Sequence, residues 1–195
     1  MNTLVLEHTE NGDVAVDVYQ KLSDDRILFV YDEITDNLAT DLCATLLLKN
    51  SESSDKKITL FINSPGGDIR NVFMIYDMIQ LIQAPIETIC IGAAMDEAVL
   101  LLASGHPGMR FATKNCRIAV NQLVHDWIMN ADMSDAKKIL DIYTSDNKKM
   151  MEILAKCTKK TVKQITSDFD RRVFMTAIQA AKYGIIDRVI AQNRG

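Results

Sequence analysis

Residues 61–82 read FINSPGGDIRNVFMIYDMIQLI and combine the two patterns that decide the fold class. The segment begins at the end of an apolar run, 58–62, which has the length of a buried strand. The turn Ser-Pro-Gly-Gly at 64–67 interrupts the apolar pattern. Beyond it, apolar residues recur at the spacing of one helical face, at Ile69, Val72, Phe73, Tyr76 and Ile79. The segment therefore predicts a strand, a tight turn and an amphipathic helix.

The same alternation continues on both sides of this unit. Short apolar runs predict strands at 26–31, 86–91 and 117–120, and amphipathic stretches predict helices at 36–48 and 96–104. Strands that alternate with helices favour parallel pairing and an α/β class.

Two helices are predicted in the C-terminal part of the chain. Thr176 and Gln179 form a capping box that opens a helix, and Gly184 ends it. The longest predicted helix, 133–156, interrupts the strand–helix alternation. We therefore expect it to project from the body or to pack against another subunit.

The amino-acid composition limits the types of protein that the chain can be. The chain has 195 residues, of which 48% are hydrophobic and 25% are charged, as in a folded single domain spanning 1–195. The net charge of −4 gives no reason to expect a nucleic acid or an anionic membrane as partner. Apolar runs are too short to span a bilayer, and residues 1–13 lack a secretory signal. We expect a cytoplasmic protein, or one of an organelle stroma if a transit peptide has been removed.

Cysteine and histidine usage gives no metal or cofactor site. The four cysteines, at 43, 90, 116 and 157, form no C-x-x-C pair and are expected to be reduced and mostly buried. Only three histidines are present, at 8, 106 and 125, which limits every mechanism that needs an imidazole. We expect neither a metal nor a cofactor.

Two turns between a strand and a helix are the candidates for chemistry. They are 63–68, NSPGGD, and 91–98, IGAAMDEA. Glycines and the free N–H groups of a following helix allow such a turn to bind an oxyanion, although Pro-Gly-Gly is also an ordinary turn. Asp96 and Glu97 are expected to stabilise the start of the next helix, by roughly 0.3–1 kcal/mol each. As neighbours on a helix they do not face each other, which argues against a cooperating acid–base pair.

Motif searches find no hydrolase nucleophile. The chain contains no G-x-S-x-G elbow, no phosphate-binding P-loop and no H-E-x-x-H helix. The residues alone thus indicate an α/β domain with one or two anion-binding turns.

Three long stretches are similar to the signature regions of ClpP, the proteolytic subunit of the caseinolytic protease family. They are 61–82, 87–122 and 169–190, and the similarity extends over residues 5–190. The resemblance implies the α/β spiral of the ClpP and crotonase group, with a projecting handle region at about 121–156 and an axial segment at about 1–20. It also implies heptameric rings, two of which stack into a tetradecamer.

The resemblance implies that the catalytic residues have been replaced. The serine position is Asp96, the histidine position is Asn121 and the aspartate position is Arg172. A carboxylate is not an alcohol nucleophile, and an amide cannot act as a base near neutral pH. A guanidinium places positive charge where an anion should orient the base. The oxyanion donors correspond to the N–H groups of Gly67 and Glu97.

No other residues are expected to restore the serine mechanism. Ser104 lies about 12 Å along its predicted helix from Asp96. His125 lies about 13 Å along its predicted strand from Asn121. The strand 124–130, which in the family is glycine-rich and pairs with substrate, contains no glycine and includes Trp127.

The resemblance also implies which residues take part in assembly. Arg171 corresponds to a residue of the contact between rings. Phe61, Leu81 and Ile190 correspond to a pocket that receives loops of an AAA+ unfoldase, although by pattern they are also ordinary core residues. Thr59 replaces an aromatic residue of that pocket.

The sequence therefore predicts a non-catalytic ClpP-like subunit of homo- or hetero-oligomeric rings. It would have a structural or regulatory role in ATP-dependent proteolysis, with an active ClpP paralogue and an unfoldase. The alternative is a crotonase-like enzyme that uses Asp96 or Glu97 as a base.

Overall fold

The computed structural model of the chain describes residues 3–9, 12–121 and 133–190. The predicted strand 124–130, with His125 and Trp127, lies outside these residues. So does the first part of the predicted handle region, 122–132.

Strands and helices alternate along most of the described chain. The strands are β1 (Leu4–Thr9), β2 (Gly12–Asp17), β3 (Ile27–Tyr31), β4 (Ile58–Ser64), β5 (Ile86–Met95), β6 (Arg110–Thr113), β7 (Arg117–Val120), β8 (Val173–Thr176) and β9 (Arg188–Ile190). The helices are α1 (Val18–Asp24), α2 (Asp36–Glu52), α3 (Ile69–Leu81), α4 (Ala98–Ala103), α5 (Met133–Thr158), α6 (Val162–Asp168) and α7 (Ala177–Tyr183).

The main sheet is mostly parallel, which confirms the predicted α/β class. Strands β3, β4, β5, β6 and β9 lie side by side in that order, and each neighbouring pair is parallel. Strand β7 is parallel to the end of β5 and antiparallel to β8. The short hairpin β1–β2 forms a separate sheet.

Strand β5, which is ten residues long, pairs with two different strands on one side of the sheet path. Thr88, Ile89 and Cys90 pair with β6, whereas Ala93, Ala94 and Met95 pair with β7. The predicted strand ended at residue 91. Its Gly-Ala-Ala continuation resembles a turn by composition. Gly92 has a positive φ of 80°, but pairing with β7 keeps Ala93 and Ala94 in the strand.

Apolar burial follows the predicted helical and strand faces. Val72, Ile75 and Ile79 of α3 are buried against the sheet, and every residue of α4 is buried. Side chains cap the N-termini of α2 and α3, the two helices beside the turn 63–68. Thr35 accepts a hydrogen bond from the N–H of Leu38 in α2, and Asp68 accepts one from the N–H of Arg70 in α3.

Several short elements were not predicted. Strands β6, β8 and β9 have only three or four residues, and their extended form depends on neighbouring strands rather than on their own pattern. The hairpin β1–β2 and helix α1 have little burial and hence no clear hydrophobic period.

Helix α5 divides into a buried and a projecting part. Met150, Met151 and Leu154 are buried in the body, where the helix packs against α4 and α6. Leu140 and Ile142, in the preceding turns, are 54% and 61% exposed. A role of this helix as a handle stays a prediction. Among the described helices, none combines the length and the apolar character needed to cross a membrane.

Gly67 is the glycine whose replacement the fold tolerates least. A Cβ there would lie 2.6–2.9 Å from backbone atoms of Ile34, which forms a bridge with Gly67. We expect Gly67→Ala to lower the free energy of unfolding by about 3 kcal/mol, as overpacking does. Urea denaturation at one fixed subunit concentration measures this loss.

Gly108→Ala is the matched control for that measurement. Gly108 also has a positive φ of 87°, but a Cβ there would meet no atom within 4 Å. We expect this control to lose only about 1 kcal/mol from backbone strain. Equal losses for the two variants would contradict the importance of the close approach to Ile34.

Candidate functional site

The first half of the candidate site is the turn between β4 and α3. Gly66 has a φ of 111°, which favours glycine, and its N–H donates to the buried Ser64 hydroxyl at 3.1 Å. The N–H of Ile34 donates to the Gly66 carbonyl at 2.9 Å, and the N–H of Asp68 donates to the Ile34 carbonyl at 3.3 Å. These bonds hold the Gly67 N–H in place without any contribution from a ligand.

The second half is the turn between β5 and α4. Asp96 has a left-handed backbone with a φ of 50°, and its N–H donates to the Ala119 carbonyl at 2.7 Å. This conformation is uncommon for a residue other than glycine and ends the strand abruptly. Residue 97 follows in a helical conformation and is the N-cap of α4.

The prediction that Asp96 and Glu97 cap this helix is wrong. Helix α4 begins at Ala98, and the Glu97 side chain makes no capping hydrogen bond. Both carboxylates contact groups outside the helix instead: Asp96 contacts Arg172, and Glu97 contacts the N–H of Gly67.

Three strand ends bring residues 96, 121 and 172 to one edge of the fold. Met95 pairs with Ala119, so Asp96 follows the last pair of β5 with β7. Val120 pairs with Val173 in the antiparallel β7–β8 pair. Extending that register by one residue places Asn121 opposite Arg172.

An ion pair joins two of these positions. An Nη2 hydrogen of Arg172 is donated to Oδ2 of Asp96. The Asp96 side chain is only 18% exposed, whereas that of Arg172 is 47% exposed. Within the described residues, the other Asp96 oxygen, Oδ1, is buried and has no hydrogen-bond partner. The Asp96 carboxylate therefore depends on Arg172 for compensation of its charge.

The Glu97 carboxylate lies across the gap between the two turns. Its Oε2 accepts a hydrogen bond from the Gly67 N–H at 3.2 Å. Burial raises the pKa of Glu97, and the nearby Asp96 charge adds to this, while the Gly67 N–H and Arg172 act in the opposite direction.

A sequence model of the Clp protease family matches residues 10–193. The chain belongs to the Clp protease family. Members of this family assemble into oligomers of ClpP-type subunits. The mostly parallel sheet agrees with the fold of the family.

Sequence reasoning found the main residues of the site in this Clp-family chain but missed two that support it. The side-chain oxygen of Asn63 accepts a hydrogen bond from the N–H of Ala93 at 3.1 Å and so connects the two turns. The Cys116 thiol, directly before β7, donates to the Cys90 carbonyl of β5 at 2.9 Å. Asn63 belongs to the quoted turn, but its partner is 30 residues away, so no local pattern identifies it.

The predicted assembly residues are distributed around the body. Arg171 is exposed next to Arg172. Phe61 is half-buried and stacks on Phe29 with ring centroids 5.6 Å apart. Leu81 and Ile190 are 73% and 37% exposed, which does not fit the core positions that their pattern suggested. Their roles in ring contacts and unfoldase docking remain predictions.

The cysteines are free thiols, as predicted, and three of the four are buried. Among residues 3–9, 12–121 and 133–190, no three His, Cys, Asp or Glu side chains are grouped so that they could hold a metal ion.

We expect Glu97→Gln to make the stability of the chain less dependent on pH. Because the pKa of Glu97 is raised in the folded chain, the folded state binds more protons than the unfolded state between the unfolded and the folded pKa. The stability contributed by Glu97 therefore falls as the pH rises through that window, and glutamine removes the fall. Urea denaturation of wild type and E97Q across the range from about pH 4 to about pH 8 measures the difference.

Glu87→Gln is the control for that series. Glu87 is on the same strand, β5, and pairs with Lys57 at 2.8 Å. As the pH rises, the free energy of unfolding of E97Q should increase relative to that of wild type. If the difference in free energy of unfolding between E97Q and wild type were constant with pH, or changed in the opposite direction, burial would not be raising the pKa of Glu97.

Proposed function

We propose that this chain is a non-catalytic subunit of a Clp protease ring. In this proposal it has a structural or regulatory role in ATP-dependent proteolysis in the cytoplasm, together with an active ClpP-type paralogue and an AAA+ unfoldase. The observation that carries the proposal is the Asp96–Arg172 ion pair, whose two residues are at the positions that correspond by resemblance to the family's serine and aspartate.

A serine-peptidase mechanism needs an alcohol whose proton passes to an adjacent base. At the triad-equivalent positions the chain has a carboxylate, an amide and a guanidinium, at Asp96, Asn121 and Arg172. None of these groups is an alcohol, and the guanidinium does not lose its proton in proteins.

The hydroxyls nearest in sequence to the two turns are engaged elsewhere. Ser64 is buried and accepts the N–H of Gly66. Ser104 is buried at the end of α4, where its hydroxyl donates to the Leu101 carbonyl at 2.7 Å. Neither serine supplies the nucleophile that position 96 lacks.

The oxyanion-equivalent N–H groups support the same proposal. The oxyanion of a tetrahedral intermediate is stabilised only if these donors are free and no negative charge lies beside them. Here the carboxylate of Glu97 already accepts the hydrogen bond of the Gly67 N–H, and Asp96 is the preceding residue. The negative charges of these two carboxylates would therefore destabilise an oxyanion at this position.

A crotonase-like reaction is not favoured by this geometry. The Asp96 carboxylate is already engaged in an ion pair with Arg172. Glu97 already accepts the hydrogen bond of the Gly67 N–H, a donor that an enolate would require. The family match also favours a Clp-type subunit over this alternative.

Exposed apolar surface supports the proposed assembly. The projecting part of α5 exposes Leu140 and Ile142, and the β8–α7 segment exposes Phe174 and Ile178. Apolar patches of this kind mark protein interfaces in soluble chains. We propose that α5 contacts the opposite ring together with Arg171, that residues 1–20 line the axial opening, and that Phe61, Leu81 and Ile190 form the unfoldase pocket.

The activity proposal is tested by restoring the triad. We expect wild type, Asp96→Ser, Asn121→His and Arg172→Asp each to give no turnover of a fluorogenic peptide and no fluorophosphonate label, because triad members act as a unit. The triple variant should show weak turnover. Adding Glu97→Met should raise it by roughly tenfold or more, since it removes the charge from the oxyanion donors.

A triad-bearing ClpP is the positive control, and all proteins are made in a host without its own ClpP. Particle size is checked for each variant. Cleavage by wild type, or strong activity of Asp96→Ser alone, would mean that another base and nucleophile exist and that the proposal is wrong.

The assembly proposal is tested by sedimentation and co-purification. We expect heptameric rings and stacked rings, either of this chain alone or mixed with a tagged, triad-bearing ClpP. Leu140→Asp with Ile142→Asp should reduce stacking, because it places charge on the apolar surface of α5. Ser145→Asp, at an exposed polar position of the same helix, should leave stacking unchanged. A stable monomer at micromolar concentration, with and without the active ClpP, would refute the proposal.

A further inference from the structure

A cavity of about 300 Å³ lies where the end of α3, the connection from α4 to β6 and the end of α5 come together. It shares no lining residue with the candidate site, so the chemistry of that site does not account for it. Buried apolar side chains form part of its wall, since Ile79, Ile82 and Ala103 are each at most 7% exposed. The hydrocarbon part of a ligand would leave water against these side chains, and the volume holds roughly 10 to 15 non-hydrogen atoms.

The ion pair in the cavity wall is already satisfied by the protein. Nε and Nη2 of Arg110 donate to the two carboxylate oxygens of Asp187 at 3.1 and 2.7 Å, and Nη1 donates to the Cys157 carbonyl at 3.0 Å. Oδ2 of Asp187 also accepts the N–H groups of Gly108 and Arg110 at 2.8 and 2.9 Å. Asp187 is the one carboxylate among the described lining residues, and its charge is compensated, so the cavity offers nothing to a cationic ligand.

The polar groups that remain in the wall can donate hydrogen bonds. Nδ1 of His106 accepts the N–H of Ile86 at 3.0 Å, which leaves the proton of the neutral ring on Nε2 as a donor. The Tyr76 ring is buried, but in the described part of the chain its hydroxyl has no hydrogen-bond partner, and its oxygen is not fully enclosed. Lys156 and Lys159 are exposed and make no ion pair with any described residue. Donors together with two uncompensated positive charges favour an anion.

We propose that this cavity binds a small organic anion, a molecule that carries a carboxylate or phosphate group on a hydrocarbon or aromatic body. The anionic group lies near Lys156 and Lys159, and the body packs against Ile79 and Ile82. This inference goes beyond the scaffold role, because it assigns a ligand to a part of the chain that neither the triad-equivalent positions nor the oxyanion-equivalent turns include.

The test uses probes that share one body and differ in charge. They are 3-phenylpropanoate, phenyl phosphate, the neutral 3-phenylpropan-1-ol and inorganic phosphate, each titrated into the full chain by calorimetry. We expect the better of the two organic anions to bind with a dissociation constant of about 1 mM. The alcohol and inorganic phosphate should each bind at least about tenfold more weakly, because one lacks the charge and the other lacks the body.

Two lysine variants of equal net charge separate the cavity from the general charge of the protein. Lys156→Gln with Lys159→Gln should weaken binding of the organic anion by about tenfold. Lys114→Gln with Lys163→Gln, which removes two exposed lysines that do not line the cavity, should change it by less than about twofold.

Two tyrosine variants separate binding from stability. Tyr76→Phe should weaken binding by about fivefold and leave the thermal midpoint unchanged or higher, because the lost hydroxyl has no partner among the described residues. Tyr183→Phe removes a hydrogen bond to Asp168 at 2.7 Å, so it should lower the thermal midpoint and leave binding unchanged.

Cys157 reports where the ligand binds. It lines the cavity and is half-buried, whereas the other three cysteines are buried. Saturation with the organic anion should slow alkylation of Cys157 by iodoacetamide at least about threefold, as measured by peptide mass spectrometry. The alcohol at the same concentration should not protect it.

Binding of an organic anion that is weakened by the Lys156 and Lys159 changes and protects Cys157 supports the inference. No binding of either organic anion in the millimolar range, equal binding of the alcohol, or binding without protection of Cys157 overturns it. If the lysine variant does not fold, loss of affinity in Tyr76→Phe decides in favour and unchanged affinity decides against. Peptidase activity of the wild type would overturn the proposed scaffold role without changing any of these readings.

Discussion

The double pairing of strand β5 is the constraint on which the candidate site depends. Its first half is held between β4 and β6, and its last residues pair with β7. This arrangement ends the strand at Asp96, beside the end of β7 and the start of β8. A strand that stopped at residue 91, as the local pattern suggests, would not bring position 96 next to Arg172. The site is therefore a consequence of sheet topology rather than of the turn sequence alone.

The changes at positions 96 and 172 are complementary in charge. A carboxylate at 96 that is only 18% exposed would be unfavourable without a cation nearby, and Arg172 supplies that cation. Replacement of one of the two residues alone would leave a charge uncompensated at the site. The structure thus shows two side chains whose opposite charges compensate each other. Such a pair is not by itself a large source of stability.

Much of the fold was predicted from local pattern. The unit β4–turn–α3 and the capping box at Thr176 were found because their signals lie within a few neighbouring residues. Strands β6, β8 and β9 and the extension of β5 were not found, because short strands become extended by pairing with distant neighbours. The family resemblance grouped Gly67, Asp96, Glu97 and Arg172, and the structure shows contacts between Gly67 and Glu97 and between Asp96 and Arg172, whose roles stay predictions. The expected helix-capping role of the two carboxylates was wrong, since it considered only the helix that follows them.

By itself the sequence determined the α/β class and the two glycine- and carboxylate-containing turns, whereas the replacement of a serine–histidine–aspartate set is what the family resemblance implies. These follow from residue identity and spacing, which are local properties. Only the tertiary structure decided what the carboxylates contact. Glu97 reaches a donor 30 residues away, and Asp96 pairs with a guanidinium 76 residues away. Hydrogen bonds and ion pairs form wherever packing places their partners, and the packing of β4, β5, β7 and β8 places these partners at one edge of the sheet.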